Sequence, residues 1–326
     1  MPRGRDAVLQ VGGLGCVFDG LMRGVRHSTG RDRAWMWSCR AAVLAVSGLT
    51  IWIAGAIARL AWPAIATFGW HFWSRSIWNP VDDAYGALAA LYGTVVCAAI
   101  AMSLAAPIGV GAAIVLNETL LPAPLQACAT IGVRILAAIP SVIYGFWGLV
   151  VLVPRLQPLQ LWLYDRLGHL PWLRTAPQGP GLLAAGLVLA IAIVPFATAI
   201  AQEALAALPP SLRQGAIALG ASRSETVRCV LVPAAWPGIA AGLLLAVGRA
   251  LGETMAVALA VGNATRFQGS WLAPGTTIAA LVANQFPEAA ELQVSALMYA
   301  ALALFGLTFA VNALAVAIAR QTGRLL

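Results

Sequence analysis

The sequence predicts an all-α integral membrane protein with six spanning helices. Three observations lead there. The 326 residues are 60% hydrophobic and only 10% charged, whereas soluble domains carry about 25% charged residues; mean hydropathy is +0.83. Six segments hold the ~20 mostly apolar residues that a helix needs to cross a bilayer. The basic residues are distributed unequally between the connections on the two sides, as in multi-pass proteins.

Taken in order, residues 1–40 form an Arg-rich tail with seven Arg against three Asp (Asp6, Asp19 and Asp32). No continuous apolar stretch precedes Ala41, so the tail does not read as a cleaved signal peptide. Attraction to anionic lipid headgroups is its simplest role. The membrane domain follows over 41–326. Spans are expected at Ala41–Trp62, Tyr85–Leu116, Leu125–Val153, Gly181–Ala201, Trp236–Gly262 and Leu292–Ala319. The second and third are long enough to tilt. Trp62, Trp70, Trp73 and Trp78, after the first span, read as an aromatic belt, because the ring is apolar and its N–H wants a partner. After the third span, Pro154–Pro180 contains LQLWLYDRLGHLPWL, which fits a short amphipathic surface helix or a seat for an extracytoplasmic partner.

With the N-terminus inside, twelve Arg fall on the inner side against six outside; Arg134 and Arg249 lie within helices. The bias places both termini, and the polar connection Ser211–Pro233, in the cytoplasm. This is the usual orientation of a multi-pass protein whose first span is an uncleaved anchor.

The residue inventory excludes several chemistries. All 20 basic residues are Arg. A Walker A loop needs its Lys to reach nucleotide phosphates, so this chain does not hydrolyse ATP by that route; Schiff-base and pyridoxal chemistry are excluded too. The five Cys form no CxxC pair, and the three His (His27, His71, His169) are far apart and lack metal-ligand spacing. No GxSxG elbow is present. The chain is expected to be no enzyme, to bind no cofactor and no nucleic acid, and to need a separate ATPase if its transport is ATP-driven.

VGRALGETMAV (Val247–Val257) places two charges inside an apolar span. Each costs ~2.5–3.5 kcal/mol at a helix centre even on lenient scales, which makes a path for a polar solute the first hypothesis. Arg249 follows Trp236 by 13 residues, about 20 Å of helix, which is close to the midplane of a ~30 Å hydrocarbon core. Glu253 four residues later is expected on the same helix face. Arg offers paired donors to two oxygens of an oxyanion, and Glu253 can take the guanidinium back when the anion leaves. A structural ion pair is the alternative. Thr254 adds a hydroxyl beside them. Ser141 and Tyr144 follow Pro140 in IPSVIYG, where a proline frees helical carbonyls; they either line the path or simply pack. Arg134 fits an interfacial anchor.

The polar connection resembles the EAA loop of bacterial ABC importers with separate permease chains. Gln214, Gly215 and Ala216 stand at the Glu-Ala-Ala position, Gly220 follows after three residues, and VLVP (Val230–Pro233) comes nine residues later. The spacing matches throughout. Gln replaces Glu, Gly replaces the first Ala, and Val replaces both Ile and Leu of the terminal Ile-x-Leu-Pro. Two short helices are expected to meet at a turn near Gly220, because glycine tolerates backbone angles that other residues resist. The longer segments Ala137–Pro154, Gly186–Leu205, Ser211–Gly238 and Gly248–Asn263, with Tyr85–Glu118 and Thr276–Ala289, resemble the permeases of Pst phosphate importers. RALGETMAV is closer to the PstC type than to its PstA partner, which more often reads RAIGETAPL. The resemblance covers about 85–320 and leaves out the tail.

The resemblance implies a type I ABC importer permease (MetI-like) fold with a coupling loop over 203–235. It implies docking on the ATPase through Gln214, Gly215, Ala216, Gly220, Ala221 and Ser222, closed by Pro233, and phosphate passage at Arg249 and Glu253. It also implies a PstA-like sister permease, a PstB-like ATPase dimer holding ATP and magnesium, a PstS-like extracytoplasmic phosphate-binding protein, and surrounding membrane lipids. A permease for another oxyanion such as molybdate or tungstate, an ion-coupled secondary carrier, and a sensor or scaffold without transport are the alternatives.

Overall fold

A computed structural model of the chain describes residues 30–118 and 122–322. Arg3, Arg5, Arg23 and Arg26 of the expected lipid-facing tail, and Arg324, lie outside the described residues. Two compact units meet in the chain at Ala56 and Ile57, within the first long helix, α1 (Gly30–Phe68). In the first unit α1 exposes nearly every described side chain, Trp35, Trp37 and Trp52 among them, and Arg40 sits 5.6 Å over the Trp37 ring.

The second unit begins with the end of α1 and a short helix α2 (His71–Ser74). A two-residue hairpin follows, β1 (Trp78–Asn79) antiparallel to β2 (Ala84–Tyr85). The rest is helical: α3 (Leu88–Asn117), α4 (Ala123–Ala138), α5 (Ser141–Trp147), α6 (Val153–Leu167), α7 (Leu182–Ala206), α8 (Pro210–Ala218), α9 (Arg223–Glu225), α10 (Val232–Gly252), α11 (Met255–Ala260), α12 (Ile278–Gln285) and α13 (Glu291–Thr322). Among the described residues, six helical runs are long and apolar enough to cross a membrane: Ala34–Phe68, Leu88–Asn117, Ser141–Leu167, Leu182–Ala206, Arg223–Gly252 and Glu291–Ala319.

Small residues set the packing. The buried face of α3 reads Ala90, Thr94, Ala98, Ala101, Ala105, Gly109 and Ala113, close to one small residue per turn, which lets backbones approach where lipid offers no hydrophobic drive. That face lies on α7, the most enclosed of the spans. A central cluster joins Ala101 and Ala105 of α3, Leu189 and Ile193 of α7, Ala246 and Ala250 of α10, and Val257 of α11. A second joins Ala61, Phe72, Tyr85, Ile278 and Leu297. A third, made of Ala113, Ala201, Leu205, Ala235 and Ile239, seals the end where α3 and α7 finish and α10 begins.

Three sequence expectations are corrected. The span expected at Leu125–Val153 is two helices, because Ile139 is extended (ψ 130°) before Pro140, as a residue ahead of proline prefers. The membrane-length run in this region is Ser141–Leu167, so most of the segment expected as a surface helix continues the span. The fifth span starts at Arg223 rather than Trp236 and stops at Gly252 rather than Gly262. Both extensions pass through the same tetrapeptide, VLVP, at 151–154 and 230–233. In each, a π turn (Gly148–Leu152 and Thr226–Leu231) ends just before the Val-Pro step. Proline lacks an N–H and its ring collides with the carbonyl four residues back; a wider turn accommodates that carbonyl without ending the helix.

The tryptophans divide. Trp62 and Trp70 are exposed, as an interfacial belt requires. Trp73 instead donates to the Tyr299 hydroxyl at 3.0 Å, and Trp78 to the Gln285 side-chain oxygen at 2.6 Å. These two rings pack with α12 and α13 instead of standing free.

Candidate functional site

The fifth span breaks at the charged pair. α10 ends at Gly252, Glu253 is extended (φ −67°, ψ 125°) and Thr254 sits at φ −107°, ψ −64°. Glycine is a poor helix residue, and the Thr254 hydroxyl donates to the Gly252 carbonyl at 3.2 Å, satisfying one acceptor freed by the break. The helix restarts as α11, with Ala258 N–H bonding to the Thr254 carbonyl at 2.8 Å. Glu253 therefore does not share a helix face with Arg249, which corrects the i,i+4 expectation. Among the described residues no ion pair joins them; Arg213 and Glu118 form one elsewhere.

Arg249 stands in the last turn of α10, where the carbonyl end of the helix favours a cation. Its guanidinium lies 4.9 Å from the centre of the Phe196 ring on α7, a cation–π contact. Among the described residues no hydrogen bond or ion pair consumes its donors. An aromatic face steadies the charge without neutralising it, so the planar fork stays available to an oxyanion. Non-helical backbone at membrane depth is tolerated where it is buried or lines a cavity. Here Gly252 and Thr254 line a recess of about 390 Å³ together with Ile278, Phe305 and Thr308.

Tyr144 comes to this place from another helix. Gly145 makes that possible: a Cβ there would lie 2.8 Å from the Ala256 Cα and 2.9 Å from the Met255 carbonyl oxygen, so only glycine lets α5 rest against the start of α11. Tyr144 is buried, its hydroxyl donates to the Leu136 carbonyl at 2.8 Å, and the Arg249 charge acts on it. The bond bridges the Pro140 break and satisfies a carbonyl at the end of α4. Ser141 opens α5 and is half-buried. Arg249, Tyr144 and Thr254 thus gather around one interrupted stretch, and Glu253 sits in the break itself.

The second part is the polar connection. α8 carries Gln214, Gly215 and Ala216 and closes in a Schellman turn. Gly220 takes φ +86°, its N–H bonds to the Ile217 carbonyl at 2.9 Å, and Ala221 N–H bonds to the Ala216 carbonyl at 3.1 Å. Ser222 then caps α9 in a capping box with Glu225: Ser222 N–H donates to the Glu225 carboxylate at 2.8 Å and its hydroxyl accepts from Glu225 N–H at 3.3 Å. The two short helices expected to meet near Gly220 do so. Ala216 is buried, while Gln214 and Gly215 are exposed. Leu219 (91% exposed) and Ile217 present apolar side chains at the tip.

Sequence reasoning missed Phe196, since one more aromatic in an apolar run carries no mark. It also missed the fork between Arg213 and Glu118, which joins residues 95 apart in the chain. The available signal was an acid directly after the apolar run of α3 and an Arg directly before Gln214.

The comparisons agree with this architecture. Residues 105–324 match the family model described as binding-protein-dependent transport system inner membrane component. The chain is 42% identical to the phosphate transport system permease protein PstC of Mesorhizobium japonicum, covering 89% of this chain and 90% of the relative. It is 45% identical to that of Haemophilus influenzae over 76% and 80%, and 38% identical to the probable PstC of Methanocaldococcus jannaschii over 83% and 88%. An inward-facing structure of the MetNI methionine ABC transporter is 18% identical, with a TM-score of 0.49 over 70% of this chain and 93% of that one. The chain belongs to the inner membrane components of binding-protein-dependent transport systems, and within them to the PstC permeases.

Proposed function

We propose that this chain is the permease subunit of an ATP-driven importer of inorganic phosphate and forms one half of the translocation pathway. The observation that carries the reading is Arg249: a guanidinium in the last turn before a helix break, held over Phe196 and, among the described residues, without a hydrogen bond or ion pair. Arg matches the tetrahedral oxyanion through paired donors, and Glu253, free of an ion pair and seated in the break, is placed to relieve Arg249 once the anion has moved on.

The sister permease supplies the other half of the path, and an extracytoplasmic binding protein delivers phosphate. ATP and magnesium are handled by a cytoplasmic ATPase that seats against α8, with Gln214, Ile217 and Leu219 at the contact. Both termini and the coupling loop face the cytoplasm, following the Arg bias. The test is uptake of labelled phosphate at micromolar concentration in cells lacking this chain. Wild type restores uptake, and Arg249→Gln restores assembly without uptake. Full uptake by Arg249→Gln overturns the reading, and uptake of molybdate or tungstate in place of phosphate assigns the site to another oxyanion.

A further inference from the structure

The docking helix α8 is fastened to the membrane bundle at a third point besides its two chain ends. Arg213 Nη1 and Nη2 donate to Glu118 Oε2 and Oε1 at 2.5 and 2.6 Å. Glu118 caps the end of α3, its N–H bonded to the Ile114 carbonyl, and it is 7% exposed. A two-point fork fixes orientation as well as distance. A buried carboxylate also resists losing its only cation, because a stranded charge is more costly than a missing pair. The contact sits one residue before Gln214.

From Glu118 the polar contacts continue toward Arg249. Two residues back, the Leu116 carbonyl accepts a bond from Gln126 Nε2 at 2.6 Å, tying α3 to the start of α4. At the far end of α4, the Leu136 carbonyl holds the Tyr144 hydroxyl, and the neighbouring Gly145 rests against Met255 and Ala256 at the start of α11, just beyond the break. Along the chain α8 leads only to α7 and, through the Gly220 turn, to α10. α3 and α4 pack on α7 through small apolar side chains; Arg213 gives α8 a direct polar tie to the end of α3.

We propose that Arg213 and Glu118 are positioning residues that form the joint by which movement of the docking helix is delivered to α3 and α4. Without the fork, ATPase closure reaches α3 and α4 only through their apolar packing on α7 and moves the Tyr144 side of the pathway poorly. This rests on the reading of α8 as the ATPase seat.

The experiment uses the full importer, with sister permease, ATPase and phosphate-binding protein, in proteoliposomes. It measures phosphate moved per ATP hydrolysed, basal hydrolysis, and ATPase retained on purification. Arg213→Lys keeps the charge and loses the fork; phosphate per ATP falls several-fold with basal hydrolysis and retention unchanged. Glu118→Gln combined with Arg213→Gln, which strands no charge, falls at least tenfold by the same measure. The swap Glu118→Arg with Arg213→Glu restores the ratio to within about threefold of wild type. A double-amide importer that assembles and keeps the wild-type ratio refutes the joint, as does loss of ATPase retention in all three variants, which makes the pair a fold element only. Leu219→Asp separates this from failure of the underlying reading. If it leaves ATPase retention intact, the seat is misassigned; if it releases the ATPase while the double amide couples normally, the seat stands and the joint falls.

Discussion

Replacing Gly220 tests the coupling loop through backbone conformation alone. A Cβ at Gly220 would meet nothing within 4 Å, so inside this chain a substitution acts only through φ +86°. Holding a non-Gly residue in the left-handed region costs roughly 1–2 kcal/mol, up to about 3 for strained cases such as a β-branched side chain. The alternative is to lose the turn with its two hydrogen bonds, from Gly220 to Ile217 and from Ala221 to Ala216. At 1.4 kcal/mol per tenfold, the docked form becomes about 5- to 150-fold rarer, and affinity for the ATPase weakens by the same factor if docking needs the turn. Asn tolerates the left-handed region, so the expected order of affinity is Gly, Asn, Ala, Val. The assay is titration of purified ATPase onto the solubilised permease pair, with phosphate uptake measured beside it. Val binding as tightly as Gly refutes the argument. Equal losses for Asn, Ala and Val also refute it, because they point to a clash with the partner instead of the turn.

At the break, Arg249→Lys retains charge but not the fork and should transport weakly, while Arg249→Gln should hardly transport; uptake with assembly controls checks both. Because Glu253 is already unpaired with Arg249, the double change Arg249→Gln with Glu253→Gln should not recover uptake. Recovery in the assembled complex would mean that the two charges form a structural pair in another state. Gly145→Val should push α5 off α11, lowering thermal stability by ~1–3 kcal/mol through overpacking and reducing uptake; an unshifted melting curve would show that the close approach is not needed. Tyr144→Phe removes one bond to the Leu136 carbonyl and should cost about 1 kcal/mol, read as a small drop in unfolding midpoint.

Legibility in the sequence followed the range of the forces. The six membrane-length runs and Gly220 at the turn announce themselves within a few residues, whereas the break at Pro140 falls inside Leu125–Val153, which reads as one continuous span. Gln214 to Ser222 could be placed on two short helices because glycine and serine have local mechanisms at a turn and a cap. The exact spans failed where prolines were read as stops: Pro154 and Pro233 sit one residue inside α6 and α10, and a π turn before each absorbs them. Glu253 was misplaced because an i,i+4 spacing says nothing about whether the helix survives between the two residues. The fork between Arg213 and Glu118 and the Arg249 seat on Phe196 depend on which spans are neighbours, which hydropathy does not encode.

The π turn ahead of Pro233 also sets an angle. A helix advances about 100° per residue, and a π turn spends about one residue more than an α turn. Everything beyond Thr226–Leu231 is thus rotated by roughly that amount relative to an unbroken helix starting at Ser222. The proline that closes the coupling loop therefore governs the compass bearing of Arg249, about five α-helical turns farther along: without that extra residue, the same side chain would leave the helix about a quarter-turn away from Phe196.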